Sequence, residues 1–324
     1  MFRLLYPKFW QKRGLISYIL WPFSQIYILL SLIRKLISPL SHFNAKVICV
    51  GNLTVGGTGK TQIVIWLAKF FQENNISFVI LTKGYSSRLE GAVLVSKYHK
   101  AIDVGDESIM LSKYGQVVAS RRPAEAVEII NKLGPRVVIS DDGMQNPSFH
   151  KDFVILAIDG DRAFGNGYII PAGPLREPAF NALNRCDAVV IINFSYETNT
   201  ILKNCDKKIF KAKIVAENKD ASAYVAYYAF SGIGDPERFF NTLKVSGMSV
   251  SKTKIFPDHY NYLPSEMEKL ITEAKDLNLV LITTRKDYVR ISTIFKNCDI
   301  RCFDIRLIIE DENQLMTLLD EKIL

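Results

Sequence analysis

Cysteine is scarce in this sequence, and its spacing excludes two common structural frameworks. The 324 residues contain five cysteines, an odd number, and no two of them form a CxxC pair. Such scattered residues make a poor disulfide framework and a poor zinc site. They favour a reducing cytosolic setting, and they are Cys49, Cys186, Cys205, Cys298 and Cys302.

Glycine, proline and sequence repeats are also too sparse for a fibrous or low-complexity chain. The 18 glycines and 12 prolines follow no period, which excludes collagen-like and mucin-like proteins. Hydrophobic residues make up 48% of the chain and charged residues 23%, the balance of a globular protein rather than a disordered one. At about 150 residues per domain, the length allows two domains that each bury a core.

Acidic residues are absent from the first 35 positions, which contain only basic charges. The whole chain carries 41 Lys and Arg against 33 Asp and Glu, a formal charge of +8. A nucleic-acid-binding protein would combine such charge with interleaved aromatic and basic platforms, which this sequence lacks. The N-terminal charge instead predicts an anionic membrane surface as partner, and the residues are Arg3, Lys8, Lys12, Arg13, Arg34 and Lys35.

An uncharged run of 20 residues, 14–33, lies between these basic clusters. As a helix it would be about 30 Å long, enough to span a bilayer, lie in its interface or pack into a core. Ser17, Ser24 and Ser31 recur every seven residues and form a polar stripe opposite aromatic and aliphatic side chains. This pattern favours an amphipathic helix in the membrane plane, with Pro22 as a kink or a new start. No small-residue cleavage site follows, so a cleaved signal peptide is not expected.

From residue 46 onward, apolar strands alternate with helical patterns, which is typical of parallel sheets covered by helices on both faces. A Lys- and Asn-rich stretch near 203–222 indicates the domain junction. We therefore predict a mainly parallel α/β fold with a membrane-associating helix over 1–40, a nucleotide-binding domain over 41–215 and a smaller α/β domain over 216–324. Strands are predicted at 46–51, 78–84, 116–119, 136–142, 153–159, 187–193, 224–232 and 279–284.

The segment GNLTVGGTGKT, residues 51–61, stands between the first predicted strand and a helix, where a phosphate-binding loop belongs. Its small residues let backbone amides surround phosphate oxygens, and the helix N-terminus adds partial positive charge. Lys60 would reach the β- and γ-phosphates of ATP, and the Thr61 hydroxyl would bind Mg²⁺. Thr54 replaces the first glycine of the P-loop pattern, so a glycine-rich turn with an incidental lysine is the alternative. The predicted nucleotide-binding residues are Thr54, Val55, Gly56, Gly57, Thr58, Gly59, Lys60 and Thr61.

Two adjacent carboxylates end the predicted strand 136–142 and supply a second anchor for Mg²⁺. A P-loop site needs an acidic group of this kind at the end of a nearby strand. Asp142 is the predicted metal contact, with Asp141 in support, and a simple turn cap is the alternative for both.

Six motifs occur in order over most of the chain: GNLTVGGTGKT, GDE at 105–107, SDDGMQ at 140–145, PAGPLREP at 171–178, FSGIGDPERFF at 230–240 and FPDHYNY at 256–262. Together they resemble the tetraacyldisaccharide 4'-kinase family, the membrane-associated lipid A kinases of Gram-negative bacteria. The resemblance implies transfer of the γ-phosphate of ATP to the 4'-hydroxyl of the disaccharide 1-phosphate precursor of lipid A. It also implies two α/β/α domains, the first with a P-loop kinase fold, and work at the cytoplasmic face of the inner membrane.

The resemblance assigns roles to individual residues at matching positions. Asp106 of GDE matches the catalytic base, and His259 of FPDH matches its partner. The implied catalytic residues are Lys60, Asp106, Arg176 and His259, and the implied metal ligands are Thr61, Asp141 and Asp142. From the residues alone, Asp106 would be an acid in the first turn of a helix, and Arg176 would pair with Glu177.

Three positions depart from the family pattern. Lys83 stands where an Arg is usual, Asn146 where the family has a His, and Gln62 where a Pro commonly follows the P-loop. The segment TTRKDYVRI, residues 283–291, resembles the closing motif of the family. Lys286 and Asp287 there could serve the nucleotide or the domain interface, and the sequence does not separate these roles.

Asp106 lies in the first predicted domain and His259 in the second, so the site would be complete only when the domains close about a hinge near 203–222. The main alternative is a membrane-associated P-loop ATPase that switches between partners. Such a switch needs only a positioned water, whereas a kinase needs a base and an acceptor site. The GDE, LREP and FPDH motifs favour the kinase, and no protein partner is implied.

Overall fold

The computed structural model describes residues 7–203, 205–217, 225–292, 295 and 298–323. Arg3 of the basic N-terminal residues, Asn204 and residues 218–222 of the predicted junction, and residue 224 of the predicted strand 224–232 lie outside the described residues. The described chain forms two sheets flanked by helices, and this mixed α/β fold with mostly parallel strands confirms the predicted class.

The secondary-structure elements follow one another in the alternating order expected from the sequence. The strands are β1 (Lys46–Asn52), β2 (Phe78–Thr82), β3 (Ala92–Leu94), β4 (Gln116–Ser120), β5 (Val137–Asp141), β6 (Phe153–Asp159), β7 (Ala188–Ile192), β8 (Lys208–Ala216), β9 (Ala226–Ser231), β10 (Ser249–Ile255), β11 (Val280–Thr284), β12 (Ile300–Phe303) and β13 (Ile305–Ile309). The helices are α1 (Leu15–Ile37), α2 (Lys60–Glu73), α3 (Ala101–Val104), α4 (Asp106–Leu111), α5 (Pro123–Leu133), α6 (Ala179–Arg185), α7 (Tyr196–Ile201), α8 (Pro236–Val245), α9 (Pro264–Asp276), α10 (Arg285–Ile291) and α11 (Glu312–Ile323).

The larger sheet has nine strands in the order β13-β8-β7-β6-β1-β5-β2-β4-β3. Its seven central strands run parallel, and the antiparallel β3 and β13 form its edges. Every residue of β5, β6 and β7 is buried, because helices pack on both faces. This burial explains why these strands are continuous apolar runs rather than alternating ones.

The order of the strands places the phosphate loop beside the acidic pair. β1 lies between β6 and β5, and Val50 of β1 is in register with Asp141 of β5. The chain leaves β1 into the loop 53–59 and enters α2 at Lys60. Ligands of open parallel sheets bind outside the carboxyl ends of the strands, so this edge of the sheet carries the candidate site.

The smaller sheet has four parallel strands in the order β10-β9-β11-β12. Phe230 of β9 packs with Leu270 of α9 on one face. Tyr227 of β9 packs with Phe240 and Leu243 of α8 on the other. The second sheet therefore has its own helical cover on both faces.

The C-terminal end of the chain departs from the predicted 216–324 domain. β13 pairs antiparallel with β8 at the edge of the larger sheet, and α11 packs on the same sheet. Leu315 and Leu319 of α11 are fully buried in the core that contains Ile63 of α2. The chain therefore passes from the larger sheet to the smaller one and back again. The two connecting segments are adjacent, because the Glu217 amide donates to the carbonyl of Asp304.

Among the strands that the sequence did not predict, β8 and β10 have polar residues interspersed with apolar ones. β8 falls inside the stretch taken as a junction, and only Phe210 and Ala212 among its nine residues are buried. β10 is an edge strand whose alternate residues are exposed. Half-exposed strands near an edge carry lysines readily, so composition alone does not reveal them.

Helix α1 runs unbroken through Pro22 and is apolar and long enough to cross a membrane, the only such helix among the described residues. Of the predicted serine stripe, Ser17 and Ser24 are buried against the protein, whereas Ser31 is exposed. Asn166 Nδ2 donates to Ser17 Oγ at 3.0 Å, and Ser24 Oγ donates to the Ile169 carbonyl at 2.7 Å. The helix is therefore not a buried core helix, because its other faces expose large apolar side chains.

Candidate active site

The phosphate loop closes tightly because glycine occupies the positions that need it. Gly56 has φ +108° and Gly59 has φ +81°, a conformation that side-chain-bearing residues rarely adopt. A Cβ at Gly59 would also overlap Cδ1 of Ile192 in β7. α2 begins directly afterwards at Lys60, so its N-terminus points into the loop.

Three cationic side chains contact Asp142 beside the phosphate loop. Arg176 Nη1 lies 2.8 Å from its Oδ1, while Lys60 Nζ and Lys83 Nζ lie 3.5 Å from its oxygens. Burial alone would raise the pKa of Asp142, but Lys60, Arg176 and Lys83 outweigh it and lower the pKa to about 2. Lys83, which stands where the family usually has Arg, thus points at the same carboxylate as the other two cations.

Asp141 is the buried neighbour that these cations do not reach. Its Oδ1 has no hydrogen-bond partner among the described residues. Burial raises the pKa of Asp141 to about 6, although the charge of Lys60 opposes the shift. An unpartnered carboxylate oxygen beside a phosphate loop suits a hard divalent cation. Asp141, Asp142 and Thr61 in the first turn of α2 therefore fit Mg²⁺.

Asp106 and His259 come from different sheets and meet in one contact. Asp106 is the first residue of α4, and His259 follows β10 in a loop where its φ is +56°. His259 Nδ1 lies 2.6 Å from Asp106 Oδ2, and both side chains are largely buried. Asp106 is one of two acids in the first turn of α4, as its position in the sequence predicts, and its side chain also contacts His259.

The sequence analysis did not identify a third member of this group, Arg290. Its Nη2 lies 2.5 Å from the same Asp106 Oδ2. Burial would raise the pKa of Asp106, but hydrogen bonds from His259 and Arg290 outweigh it and lower the pKa to about 2. Asp106 is therefore held as a carboxylate.

The sequence left the roles of Lys286 and Asp287 open. Lys286 lies at the interface between the two sheets, and Asp287 lies inside the unit formed by the smaller sheet and its helices. Lys286 Nζ lies 2.5 Å from Glu107 Oε1. Asp287 is fully buried and accepts hydrogen bonds from Tyr262 OH and the Gly232 amide. Possible ligand atoms of Asp106, Glu107 and His259 lie within 4.8 Å of one another, and Arg290 and Lys286 pair with the two acids.

The two clusters belong to one site. The segment after β2 connects them, because Lys83 Nζ lies 3.5 Å from Asp142 Oδ2 and the Tyr85 ring lies 5.5 Å from the His259 ring. Arg176 pairs with Asp142 rather than with Glu177, which instead pairs with Arg185 at 2.7 Å. The structure therefore brings together all the residues that the sequence analysis selected around the phosphate loop and the GDE motif.

A second set of ion pairs joins the two sheets on the other side of the loop. Arg238 at the start of α8 pairs with Asp159 at 2.6 Å and with Asp161 at 2.6 Å. Arg162 pairs with Asp235, which caps α8 through the Arg238 amide. The FSGIGDPERFF motif thus acts as an interface segment, which its spacing alone did not indicate.

A parallel α/β sheet with a phosphate loop after β1, acids after the adjacent β5 and a carboxylate–histidine pair beside them defines a P-loop phosphotransferase. The chain belongs to the tetraacyldisaccharide-1-P 4'-kinase family (LpxK), which matches residues 16–324.

Full-length relatives and a solved structure agree with this assignment. The tetraacyldisaccharide 4'-kinase of Rickettsia canadensis is 49% identical over 325 residues, covering 100% of this chain and 98% of that protein. That of Rickettsia rickettsii (strain Sheila Smith) is 47% identical over 324 residues, covering 100% and 99%. The "apo" form of LpxK from Aquifex aeolicus, solved in complex with ATP, is 28% identical with a TM-score of 0.77 and covers 96% of this chain and 100% of its own.

Proposed function

We propose that this protein transfers the γ-phosphate of ATP to the 4'-hydroxyl of the tetraacyldisaccharide 1-phosphate precursor of lipid A. The observation that carries the proposal is the contact of His259 with Asp106, beside the phosphate loop and its acids. A hydrolysing switch would need no such buried carboxylate–histidine pair for an acceptor hydroxyl. The names of the full-length relatives and the ATP bound to the Aquifex aeolicus protein support the same reaction.

The nucleotide side of the reaction rests on the loop 54–61. Its amides and Lys60 hold the phosphates, while Arg176 and Lys83 exchange part of their contact with Asp142 for contact with phosphate oxygens. Thr61, Asp141 and Asp142 would hold Mg²⁺, which would supply positive charge to neutralise the phosphate oxygens. The unpartnered oxygen of Asp141 supports this role.

The acceptor side rests on Asp106. Its carboxylate takes the proton of the 4'-hydroxyl as the sugar oxygen forms a bond to the γ-phosphorus, and the bond from that phosphorus to ADP breaks. His259 orients the carboxylate through Nδ1. A carboxylate kept ionised in a largely buried position is ready to accept a proton at neutral pH, although its low pKa makes it a weak base.

Domain closure completes the site in this proposal. One body contains the larger sheet with α11, and the other contains the smaller sheet. The two adjacent connecting segments, one after β8 and one before β13, would serve as the hinge. This modifies the expected bounds, because the end of the chain moves with the nucleotide-binding body.

The exposed apolar faces of α1 support a position on a membrane surface. The helix is tethered along Ser17 and Ser24, so the polar segment 166–172 would have to enter the bilayer if the helix crossed it. A helix that lies in the interface avoids this cost. Because ATP is a cytosolic substrate and the acceptor is a lipid precursor, the site is the cytoplasmic face of the inner membrane, with anionic lipid facing the basic N-terminal residues.

A label-transfer assay tests the activity directly. Purified protein in detergent micelles receives γ-labelled ATP, Mg²⁺ and tetraacyldisaccharide 1-phosphate, in parallel with Asp106→Ala and Lys60→Ala. We expect label in the lipid from the wild type and its collapse in both variants. Label released only as free phosphate, with or without lipid, would favour an ATPase switch instead.

A further inference from the structure

Helix α10 reaches across to α4 with two basic side chains on one face. Lys286 and Arg290 are four residues apart, the spacing that aligns side chains along a helix. They pair with the adjacent acids Glu107 and Asp106 at the start of α4. Only the second pair involves the carboxylate to which the proposed function assigns the proton transfer.

Arg290 is fixed by hydrogen bonds to groups of the unit that contains the smaller sheet. Its Nη1 donates to Asp287 Oδ1 at 2.9 Å and to the Gly232 carbonyl at 3.0 Å. Asp287 is itself fixed, because it accepts hydrogen bonds from Ser231 Oγ, the Gly232 amide, Tyr262 OH and Thr284 Oγ1. The fixed guanidinium therefore restricts the orientation of the Asp106 carboxylate that it contacts.

The contacts on Asp106 are one-sided. Both Arg290 Nη2 and His259 Nδ1 reach Oδ2, and within the described ranges no hydrogen bond reaches Oδ1. A carboxylate clamped through one oxygen presents its other oxygen in a fixed direction. Such alignment matters for catalysis, since a misplacement of about 1 Å costs about 10²-fold in rate.

We propose that Arg290 is a positioning residue for Asp106, which clamps Oδ2 from the second sheet and leaves Oδ1 to accept the proton of the acceptor hydroxyl. This inference rests on the proposed function, because it needs Asp106 to be the base. This positioning role is more specific than an ion pair across the interface between the two sheets, which Lys286 and Glu107 also form.

The charge of Arg290 also affects when Asp106 is ionised. The charged or titratable groups around Asp106 include Glu107 on α4, Tyr85 after β2, His259 and Tyr262 in the loop after β10, and Lys286, Asp287 and Arg290 on α10. An adjacent Arg typically lowers a carboxyl pKa by about 1–3 units. Because activity needs the ionised form, removing this charge should move the acid limb of the pH–rate profile to higher pH.

The experiment compares Arg290→Gln with Arg290→Lys, and uses Lys286→Gln as the matched control. Lys286 and Arg290 are on the same face of α10, and each Gln variant removes one ion pair across the domain interface. We measure kcat and KM for the lipid acceptor between pH 5 and pH 8, with thermal melting to establish folding. If the pKa of Asp106 rises to about 5 in Arg290→Gln, activity at pH 5 falls about twofold further relative to pH 8 than in the wild type.

The other two variants separate positioning from charge. Arg290→Lys keeps the charge but loses the forked contact with Asp287 and Asp106, so we expect kcat to fall about tenfold with the acid limb and acceptor KM unchanged. Lys286→Gln should shift the acid limb less than Arg290→Gln does, because Lys286 contacts Glu107 rather than Asp106. Equal, pH-independent losses in Arg290→Gln and Lys286→Gln would overturn the inference, as would an unchanged kcat in Arg290→Lys.

Asp106→Asn distinguishes failure of this inference from failure of the proposed function. If Asp106→Asn keeps wild-type activity, the base assignment fails and the role of Arg290 fails with it. If Asp106→Asn is inactive while Arg290→Gln keeps the wild-type kcat and acid limb, only the inference about Arg290 is wrong.

Discussion

His259 Nδ1 lies 2.6 Å from Asp106 Oδ2 across 153 residues of sequence, and the two residues belong to different sheets. The amide nitrogen of an asparagine can stand close to the position of an imidazole Nδ1, and Asn also tolerates the positive φ of this site. We therefore expect His259→Asn to lose less than about tenfold in kcat, and His259→Ala to lose about 10²-fold. Steady-state kinetics in detergent micelles check this, and equal losses in the two variants would contradict a positioning role through Nδ1.

Asp106 should also contribute to stability, unlike many active-site residues. Its pKa is held at about 2, below the ordinary value of 3.8, so its contribution is complete above about pH 4 and is lost as the pH falls towards 2. At pH 7, Asp106→Asn should lower the free energy of unfolding by about 2 kcal/mol. Asp320→Asn, which changes an exposed carboxylate on α11, should change it by less than about 0.5 kcal/mol. Urea unfolding measures both, and an Asp106→Asn variant as stable as the wild type would rule out the ion-pair contribution.

The part of the site that could be predicted from the sequence is the part that is local in the chain. The phosphate loop is a strand, a glycine-rich turn and a helix in succession, and Asp141 and Asp142 end a strand with a clear apolar run. Arg290 contacts Asp106 across 184 residues, and no local pattern encodes that contact. Asp106 and His259 were found only through the family motifs.

Prediction of the fold had the same limit: local features of the chain were found, and long-range pairings were not. The apolar central strands were located to within a residue or two, because burial on both faces makes them continuous hydrophobic runs. Residues 305–309 were expected in the C-terminal domain, whereas β13 pairs with β8 of the larger sheet, because this pairing depends on where the chain returns. In α1 the periodicity of Ser17 and Ser24 was recognised, but its direction was not, because residues 166–172 supply their partners.

The ion pair of Arg238 with Asp159 should hold the two bodies together. Asp159 is buried, so Arg238→Met would leave its charge unpaired and cost about 3–5 kcal/mol. Asp161 is 60% exposed in its side chain, so Asp161→Asn should cost less than about 1 kcal/mol although it contacts the same arginine. Urea unfolding gives the energies, and small-angle scattering should show a larger radius of gyration in Arg238→Met alone. An unchanged radius would mean that this pair does not control closure.

The exposed apolar face of α1 should determine binding to lipid. Leu29 and Ile33 are 58% and 44% exposed, so Leu29→Glu with Ile33→Glu should leave the fold intact and weaken cosedimentation with anionic vesicles by about tenfold or more. Leu277→Glu, which changes an exposed leucine far from this helix in the chain, serves as the control and should sediment like the wild type. Vesicle binding of the double variant equal to that of the control would exclude α1 as the membrane contact.

The glycines of the phosphate loop should differ sharply in their tolerance of a side chain. Gly59→Ala forces a methyl group into Ile192 Cδ1 at φ +81°, so we expect a loss of about 1–3 kcal/mol in stability and a large loss of ATP binding. A Cβ at Gly57 meets nothing within 4 Å, so Gly57→Ala should melt within a few degrees of the wild type. Melting curves with and without ATP measure both effects. If Gly59→Ala were as stable as Gly57→Ala, the left-handed turn before α2 would not be a requirement of the loop.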